Sequence, residues 1–206
     1  MMNTQNPDLP NNETREAILK VAEELFSKRG YAAVKLRDIA AAVGMRHASL
    51  YYYAPGGKED LFVEVMQRSF QRHRTGMAQA IRAAGPALPD QMQAVAEWIV
   101  SQPPMDLARM TNADLPAIDP QKAAELSKLA LDAMTIPIIE ALQAAAVRGA
   151  ITPMPNYGMA AMAFTVLLQS THQIPEEAVQ REIPGGRKAI GQTLVNMLLY
   201  GWLPRQ

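Results

Sequence analysis

Apolar residues in the first part of the chain recur with the period of an α-helix. Between positions 17 and 26 they mark one face of a helix that Asn12 or Thr14 can cap and that Gly30 ends. A second apolar pattern predicts a short helix over Leu36–Val43, and Gly44 follows where a tight turn favours positive φ. A third short helix is predicted over His47–Tyr53. Two short helices joined by a glycine turn are typical of a helix-turn-helix.

The rest of the chain reads as helices separated by prolines and glycines. After the Pro-Gly-Gly break, Lys58 begins a long predicted helix that runs toward Ala84. Further helices are predicted up to Trp98 and over residues 105–112, 119–148 (kinked at Pro137), 156–172 and 187–202. Residues 174–186, with two prolines and a Gly-Gly pair, are expected to form a loop. No β alternation and no internal repeat is visible, so the predicted fold class is all-α.

Composition narrows the class of protein. The 206 residues are 49% hydrophobic and 19% charged, which suits a globular chain and not a disordered one. There is no cysteine, and the three histidines show no metal-ligand spacing, so no disulfide, metal or cofactor is expected. The N-terminus lacks the features of a signal peptide, and the apolar run 159–168 is too short to span a bilayer. We therefore expect a cytoplasmic protein with no membrane contact and no catalytic constellation.

The charge distribution changes the picture that the net charge gives. The formal net charge is zero, but between Thr14 and Lys58 eight basic residues stand against four acids, a local excess of about +4. The basic residues there are Arg15, Lys20, Lys28, Arg29, Lys35, Arg37, Arg46 and Lys58. A basic N-terminal region on a slightly acidic remainder is compatible with binding to nucleic acid.

One stretch carries a specific resemblance. Residues 30–62 read GYAAVKLRDIAAAVGMRHASLYYYAPGGKEDLF. The ordered elements are Gly30-Tyr31, Arg37-Asp38-Ile39-Ala40, Val43-Gly44, Ser49-Leu50-Tyr51-Tyr52 and Lys58-Glu59-Asp60-Leu61. This stretch resembles the DNA-binding signature of the TetR family. Three departures are Lys35 in place of the usual Thr or Ser, Ala54 in place of Phe, and a longer loop before Lys58.

The resemblance implies an organisation and a function. It implies a three-helix helix-turn-helix DNA-binding domain over residues 12–57, after a flexible arm over residues 1–11. It also implies a larger helical ligand-binding and dimerisation domain over residues 58–206. The expected protein is a homodimeric repressor that binds a palindromic operator in double-stranded DNA and is released by a small, mainly apolar effector.

The expected DNA contacts lie on and around the second and third helices. A recognition helix presents its N-terminal residues to base edges, which suits Arg46, His47 and Ser49. Exposed Tyr hydroxyls and cations near helix starts suit phosphates instead. The candidate phosphate contacts are Lys35, Arg37, Tyr51, Tyr52 and Lys58. Leu50 and Tyr53 are expected to pack inside, and Asp38 to make a local cap.

The candidate ligand contacts are less well defined. Methionine adapts its shape to apolar ligands, and a few polar groups would orient the molecule. The apolar candidates are Trp98, Met105, Met110, Met134, Ile138, Met162 and Phe164, and the polar ones are Arg109, Asn112, Gln169 and His172. Each of them could equally be an ordinary core or helix-end residue.

The last two predicted long helices are the candidate dimer interface. Small residues at Gly158, Ala160, Ala161 and Ala163 allow close approach, and Val195, Leu198, Leu199 and Trp202 supply apolar area. Two other classes stay open: a helical small-molecule binding protein with a vestigial DNA head, and an enzyme with an apolar cavity. The basic head opposes the first, and the lack of a catalytic constellation opposes the second.

Overall fold

The fold, given by a computed structural model, is built from helices throughout the described residues, 12–103 and 105–202. The arm predicted over residues 1–11 lies outside them. The helices are α1 Asn12–Ala33, α2 Leu36–Val43, α3 His47–Tyr53, α4 Gly57–Ala83, α5 Leu88–Ser101, α6 Leu107–Arg109, α7 Pro120–Val147, α8 Tyr157–Ser170, α9 Glu176–Glu182 and α10 Gly186–Trp202. The all-α class is confirmed.

The chain divides into two compact units. Unit one comprises the described residues up to Arg68 together with Leu107–Leu126, and unit two comprises Ser69–Asp106 and the chain from Ser127 onward. Contacts therefore assign part of the middle of the chain to the N-terminal unit, whereas the sequence placed a single boundary after residue 57. Two of the three boundaries between the units fall inside α4 and α7, and the third directly precedes α6.

Local sequence explains the helix ends in unit one. Helical geometry in α1 breaks at Gly30, whose φ of 77° and ψ of 166° are accessible to glycine and not to other residues. The backbone N–H of Lys35 donates to Asp38 Oδ2 at 3.0 Å, which caps α2. Gly44 ends α2 in the left-handed conformation at φ 77°. The predicted turn glycine and the capping role of Asp38 are both confirmed.

The segment after α5 differs from the helix predicted over residues 105–112. Only Leu107–Arg109 is α-helical, and a π-helix over Met110–Asp114 and a 3₁₀ turn over Leu115–Ala117 follow. The N–H of Leu115 bonds to the carbonyl of Met110, five residues back. Residue types alone do not distinguish this wider winding from an α-helix, because the apolar spacing is similar.

Unit two has an apolar core formed by α5, α7, α8, α10 and the later part of α4. Its fully enclosed side chains include Met77, Met92, Ile99, Ile138 and Phe164. The α8 helix begins where the Asn156 side chain accepts the N–H of Met159 at 2.9 Å. The predicted start of this helix is therefore confirmed.

The loop predicted over residues 174–186 is wrong in its centre. Glu176–Glu182 form α9, with Pro175 at its N-cap and Glu176 and Glu177 in its first turn. Acids there suit the helix dipole, and Val179 is fully buried. The prolines and glycines that suggested a loop bound this short helix on both sides instead of interrupting it.

One helix, α7, is long and apolar enough to meet a length-and-composition criterion for a membrane span, and half of its most apolar window is buried. A core helix of a globular protein meets the same criterion.

Candidate nucleic-acid interface

The α3 helix has one buried anchor and an exposed face. Leu50 is completely buried, as predicted. On the same short helix His47, Ser49, Tyr51 and Tyr52 are exposed. The aromatic side chains are the unusual members of this face, because about half of each of Tyr51 and Tyr52 is exposed. Large aromatic groups left in water on a seven-residue helix are available to a partner.

Neighbouring rings support the exposed aromatic side chains. His47 meets the edge of Tyr51 with ring centroids 5.3 Å apart, and Tyr52 meets Tyr53 at 5.2 Å. Such edge contacts limit the rotamers that the rings sample and reduce the entropy that binding would cost. Tyr53 is half-buried, so its predicted packing role fits its position.

The exposed cations that flank α3 come from α2 and its ends. Lys35 precedes α2, Arg37 lies in its first turn, and Arg46 occupies the N-cap of α3; all three are exposed. Arg37 leaves 70% of its side chain exposed, with its Nε 3.8 Å from Asp38 Oδ1. Long exposed cations at helix N-termini match the geometry of phosphate binding.

Cations on α1 are paired differently. Arg15 contacts Glu64 at 2.6 Å, and Arg68 forms a two-pronged bond with Glu16 at 2.6 and 2.8 Å. The hydrogen bonds from Arg68 hold the pKa of Glu16 below its usual value. These pairs join α1 to α4 within unit one, so Arg15 and Arg68 are engaged by acids, whereas Lys35, Arg37 and Arg46 stay exposed around α2 and α3.

Lys58 is half-buried and already has a partner. Its Nζ donates to the carbonyl oxygen of Tyr31 at 3.0 Å and lies 3.9 Å from the centre of the Tyr31 ring. Burial lowers the pKa of Lys58, and the carbonyl and ring partly replace the lost hydration. An ammonium has three donors, so the predicted phosphate contact would use those that remain.

Three of the predicted ligand residues lie in unit one. Arg109 contacts α1, Met110 is buried, and Asn112 is exposed. The guanidinium of Arg109 donates to the carbonyl oxygens of Phe26 and Ser27 and lies 3.4 Å from Asp114. The sequence analysis missed Asp114 and this role of Arg109. Because the partners are 82 and 83 residues apart, no local pattern could reveal them.

The other predicted ligand residues lie in unit two. Met134, Ile138 and Phe164 are buried in its core, Met105 and His172 are half-buried, and Met162 is 45% exposed. The indole of Trp98 lies directly against Gly76, where any side chain would collide with it. Trp98 Nε1 and Gln169 Oε1 are buried with no hydrogen-bond partner. Which of these residues contacts a ligand stays a prediction.

Known proteins give two kinds of similarity. Residues 18–65 match the model of the family described as bacterial regulatory proteins, tetR family. The regulator LmrA of Bacillus subtilis, described as an HTH-type transcriptional regulator, is 37% identical over 71 residues, which are 34% of this chain and 38% of LmrA. This alignment spans well under half of the relative's length, so it informs on the N-terminal region only.

Solved structures extend the similarity of the fold to nearly the whole chain. The fatty acid degradation regulator FadR from Bacillus halodurans superposes with a TM-score of 0.72 at 17% identity, over 94% of this chain and 98% of that one. A transcriptional regulator from Saccharomonospora viridis in complex with choline gives a TM-score of 0.71 at 19% identity, over 95% and 100%. Residues 18–65, from α1 into α4, therefore match the tetR family of bacterial regulatory proteins, and the helical fold of nearly the whole chain is that of solved bacterial regulators.

Proposed function

We propose that this protein is a ligand-responsive transcriptional repressor that binds DNA as a homodimer in the cytoplasm. The observation that carries the proposal is the exposed face of α3, which presents His47, Ser49 and two tyrosines beside the cations of α2. A helix of this size fits the major groove, and its flanking cations meet the phosphates on either side.

The proposed division of labour follows from side-chain chemistry. Arg46 stands where α3 begins and can bond guanine through two parallel hydrogen bonds; His47 and Ser49 reach neighbouring base edges. Lys35 and Arg37 hold phosphates by charge, and Tyr51 and Tyr52 hold them by neutral hydroxyls. Lys58 adds a third cationic phosphate contact. Phosphate contacts fix register, whereas base contacts select the sequence.

An exposed apolar stripe supports the proposed dimer. Met159, Met162, Val166 and Leu167 recur at helical spacing on α8 and are 38–64% exposed, and Met197 on α10 is 66% exposed. A contiguous apolar surface of this kind is typical of an interface between copies. A twofold dimer carries two α3 helices related by symmetry, which a palindromic operator would match.

The core of unit two favours a neutral effector. Among the described residues of this unit, no Asp, Glu, Lys or Arg side chain is buried. Trp98 Nε1, a donor, and the side-chain oxygens of Gln91 and Gln169, which are acceptors, are buried without a hydrogen-bond partner. A small apolar molecule with a hydrogen-bonding group would satisfy one of these atoms without burying a charge. Choline, the ligand in the Saccharomonospora structure, is a small organic cation, so that complex supports a small organic ligand in this fold and not its neutrality.

Selection of DNA from a random duplex library by the full-length protein tests the proposal. Enrichment of a palindromic sequence, released by a neutral apolar compound that also raises the melting temperature, is the expected result. A protein that is stabilised by such compounds but enriches no sequence would support the vestigial-head alternative. Release by a highly charged metabolite alone would contradict the proposed effector class.

A further inference from the structure

Charged side chains bind both the backbone N–H and the carbonyl of Tyr31, which directly follows the break at Gly30 in the last turn of α1. Its N–H donates to Asp114 Oδ1 at 2.7 Å, and its carbonyl oxygen accepts from Lys58 Nζ at 3.0 Å. Its ring packs with those of Phe26 and Phe62, with centroids 6.3 and 5.0 Å away, and these two rings also contact each other. This single residue therefore sets how the chain leaves α1 and approaches α2.

Arg109 adds hydrogen bonds to the end of α1 beside the same turn. Its Nη2 donates to the carbonyl oxygens of Phe26 and Ser27 at 3.1 and 2.7 Å, and its Nε is 3.4 Å from Asp114 Oδ2. The last carbonyls of a helix have no partner within the helix, and the negative end of the helix dipole lies there. A guanidinium satisfies both requirements at once.

Gly30 shows how closely these groups approach. An added Cβ at this position would lie 3.1 Å from Asp114 Oδ1 and 3.2 Å from Arg109 Cδ and Nε. Asp114 is 95% buried, since its exposed fraction is 5%. A buried carboxylate is tolerated when it is paired and hydrogen-bonded, as it is here by Arg109 and Tyr31.

The π-helix explains how Arg109 and Asp114 act together. Residues five apart lie on different sides of an α-helix. The i to i+5 bonding over Met110–Asp114 widens the turn and brings the two side chains to the same side. Irregular winding of this kind is concentrated at functional sites in proteins.

We propose that Arg109 and Asp114 are positioning residues for DNA binding. The segment Leu107–Asp114 then belongs functionally to the DNA-binding domain formed by α1, α2 and α3. This inference rests on the proposed function. The pair touches no DNA itself. It fixes the turn at Gly30 and Tyr31, and so the orientation of α2 and α3 relative to α1. Without the pair, α2 and α3 sample other orientations relative to α1, and DNA binding must supply the free energy that orders them.

The test compares full-length Arg109→Met, Arg109→Lys and Asp114→Ala with the unaltered protein. The DNA is the duplex that the unaltered protein selects from a random library, and the temperature is one at which circular dichroism shows every variant folded. Arg181→Met is the matched control, because Arg181 is 73% exposed on α9 and pairs with its neighbour Glu182. Hydrogen exchange at the Tyr31 amide directly reports its hydrogen bond to Asp114.

We expect Arg109→Met and Asp114→Ala to weaken DNA binding about tenfold or more. The salt dependence should keep its slope, because no phosphate contact is lost. Arg109→Lys should bind DNA more tightly than Arg109→Met but less tightly than the unaltered protein. An ammonium keeps the positive charge but not the planar pair of guanidinium donors. Exchange at Tyr31 should accelerate in Asp114→Ala, and the control should bind like the unaltered protein.

Three outcomes would overturn the inference. Unchanged affinity in folded Arg109→Met and Asp114→Ala proteins would limit the pair to stability. A shallower salt slope would make Arg109 a phosphate contact. If the loss of DNA affinity in each variant is fully accounted for by its loss of stability, as measured by the melting temperature, the positioning role is also excluded. If the unaltered protein selects no DNA, the proposed function fails as well, which distinguishes that failure from the other three.

Discussion

At the scale of single residues, the α3 face separates groups that can select a sequence from groups that can only hold the backbone. Arg46 has a planar fork of donors, whereas the hydroxyls of Tyr51 and Tyr52 are single neutral donors. The structure leaves all three exposed. Their contributions can therefore be separated by the way in which each substitution changes specificity and salt dependence.

Replacing Arg46 with Ala should relax base preference at one symmetric position of the operator. A bidentate contact to a base accounts for about 1–3 kcal/mol of discrimination, so the loss should appear at that position and not elsewhere. Binding to a set of single-base operator variants measures it. Arg181→Ala on α9 is the control. Base preferences that stay unchanged in the Arg46→Ala protein would assign the residue to the backbone.

Replacing Lys58 with Met should have two effects. Loss of the bond to the Tyr31 carbonyl and of the contact with its ring should lower the free energy of unfolding by about 1–3 kcal/mol. Loss of a phosphate contact should make the salt slope shallower by roughly one unit in each half-site, without altering base preference. Chemical denaturation and binding at several salt concentrations measure the two effects. A lower stability with an unchanged salt slope would mean that Lys58 only stabilises Tyr31 and does not contact a phosphate.

At the scale of elements, two glycines with left-handed backbone lie at helix ends, Gly30 in the last turn of α1 and Gly149 just after α7. Gly30 and Gly149 both have positive φ, at 77° and 72°. They differ in their surroundings, because an added Cβ meets Asp114 and Arg109 at Gly30 and nothing within 4 Å at Gly149. Gly149 therefore gives the cost of positive φ without steric crowding.

Gly149→Ala should lower the free energy of unfolding by about 1–2 kcal/mol through the left-handed backbone alone. Gly30→Ala should cost more, because its ψ of 166° is unfavourable for alanine and its neighbours leave little room. Urea denaturation of the two variants gives the comparison. Equal losses would mean that neither the ψ of 166° nor the closeness of Arg109 and Asp114 adds to the cost at Gly30.

His172, in the turn after α8, should make stability depend on pH. Burial lowers its pKa from 6.5, and the nearby charge of Arg187 acts in the same direction, while a bond to the Ile99 carbonyl opposes them. The unfolded chain then binds the proton more readily, so stability is complete above pH 6.5 and falls as the pH drops below it. Denaturation between pH 8 and about 5 should show a smaller fall for His172→Gln than for the exposed-site control His47→Gln.

At the scale of the whole molecule, the exposed stripe on α8 should join two copies. Val166→Glu places a charge at a position that is 53% exposed, so the fold of one copy should survive while the dimer is lost. Val147→Glu, at an 89% exposed site on α7, is the matched control. Light scattering at micromolar concentration distinguishes the two states. A Val166→Glu dimer as stable as the control would exclude this face.

Leu198, Val195 and Leu199 show why the interface could be only partly predicted. All three were expected to face the partner, yet Val195 and Leu199 are buried in unit two and Leu198 packs against the same core. Ala161 is likewise completely buried, whereas Met162 and Val166 beside it point outward. The side chain of Trp202 lies outside the described residues. An apolar helix shows its period in the sequence, but both faces of α8 are apolar, so only packing decides which one is covered.

The helix-turn-helix was determined by the sequence itself, because its signals are local. Gly44, the Asp38 cap and the buried Leu50 act within a few residues of one another, and a fixed order of such signals produced the resemblance of residues 30–62 to the TetR DNA-binding signature. The hydrogen bonds from Tyr31 to Asp114 and from Arg109 to the end of α1 were decided by tertiary structure. They depend on a π-helix and join residues more than 80 positions apart, which chain folding brings together and no local spacing encodes.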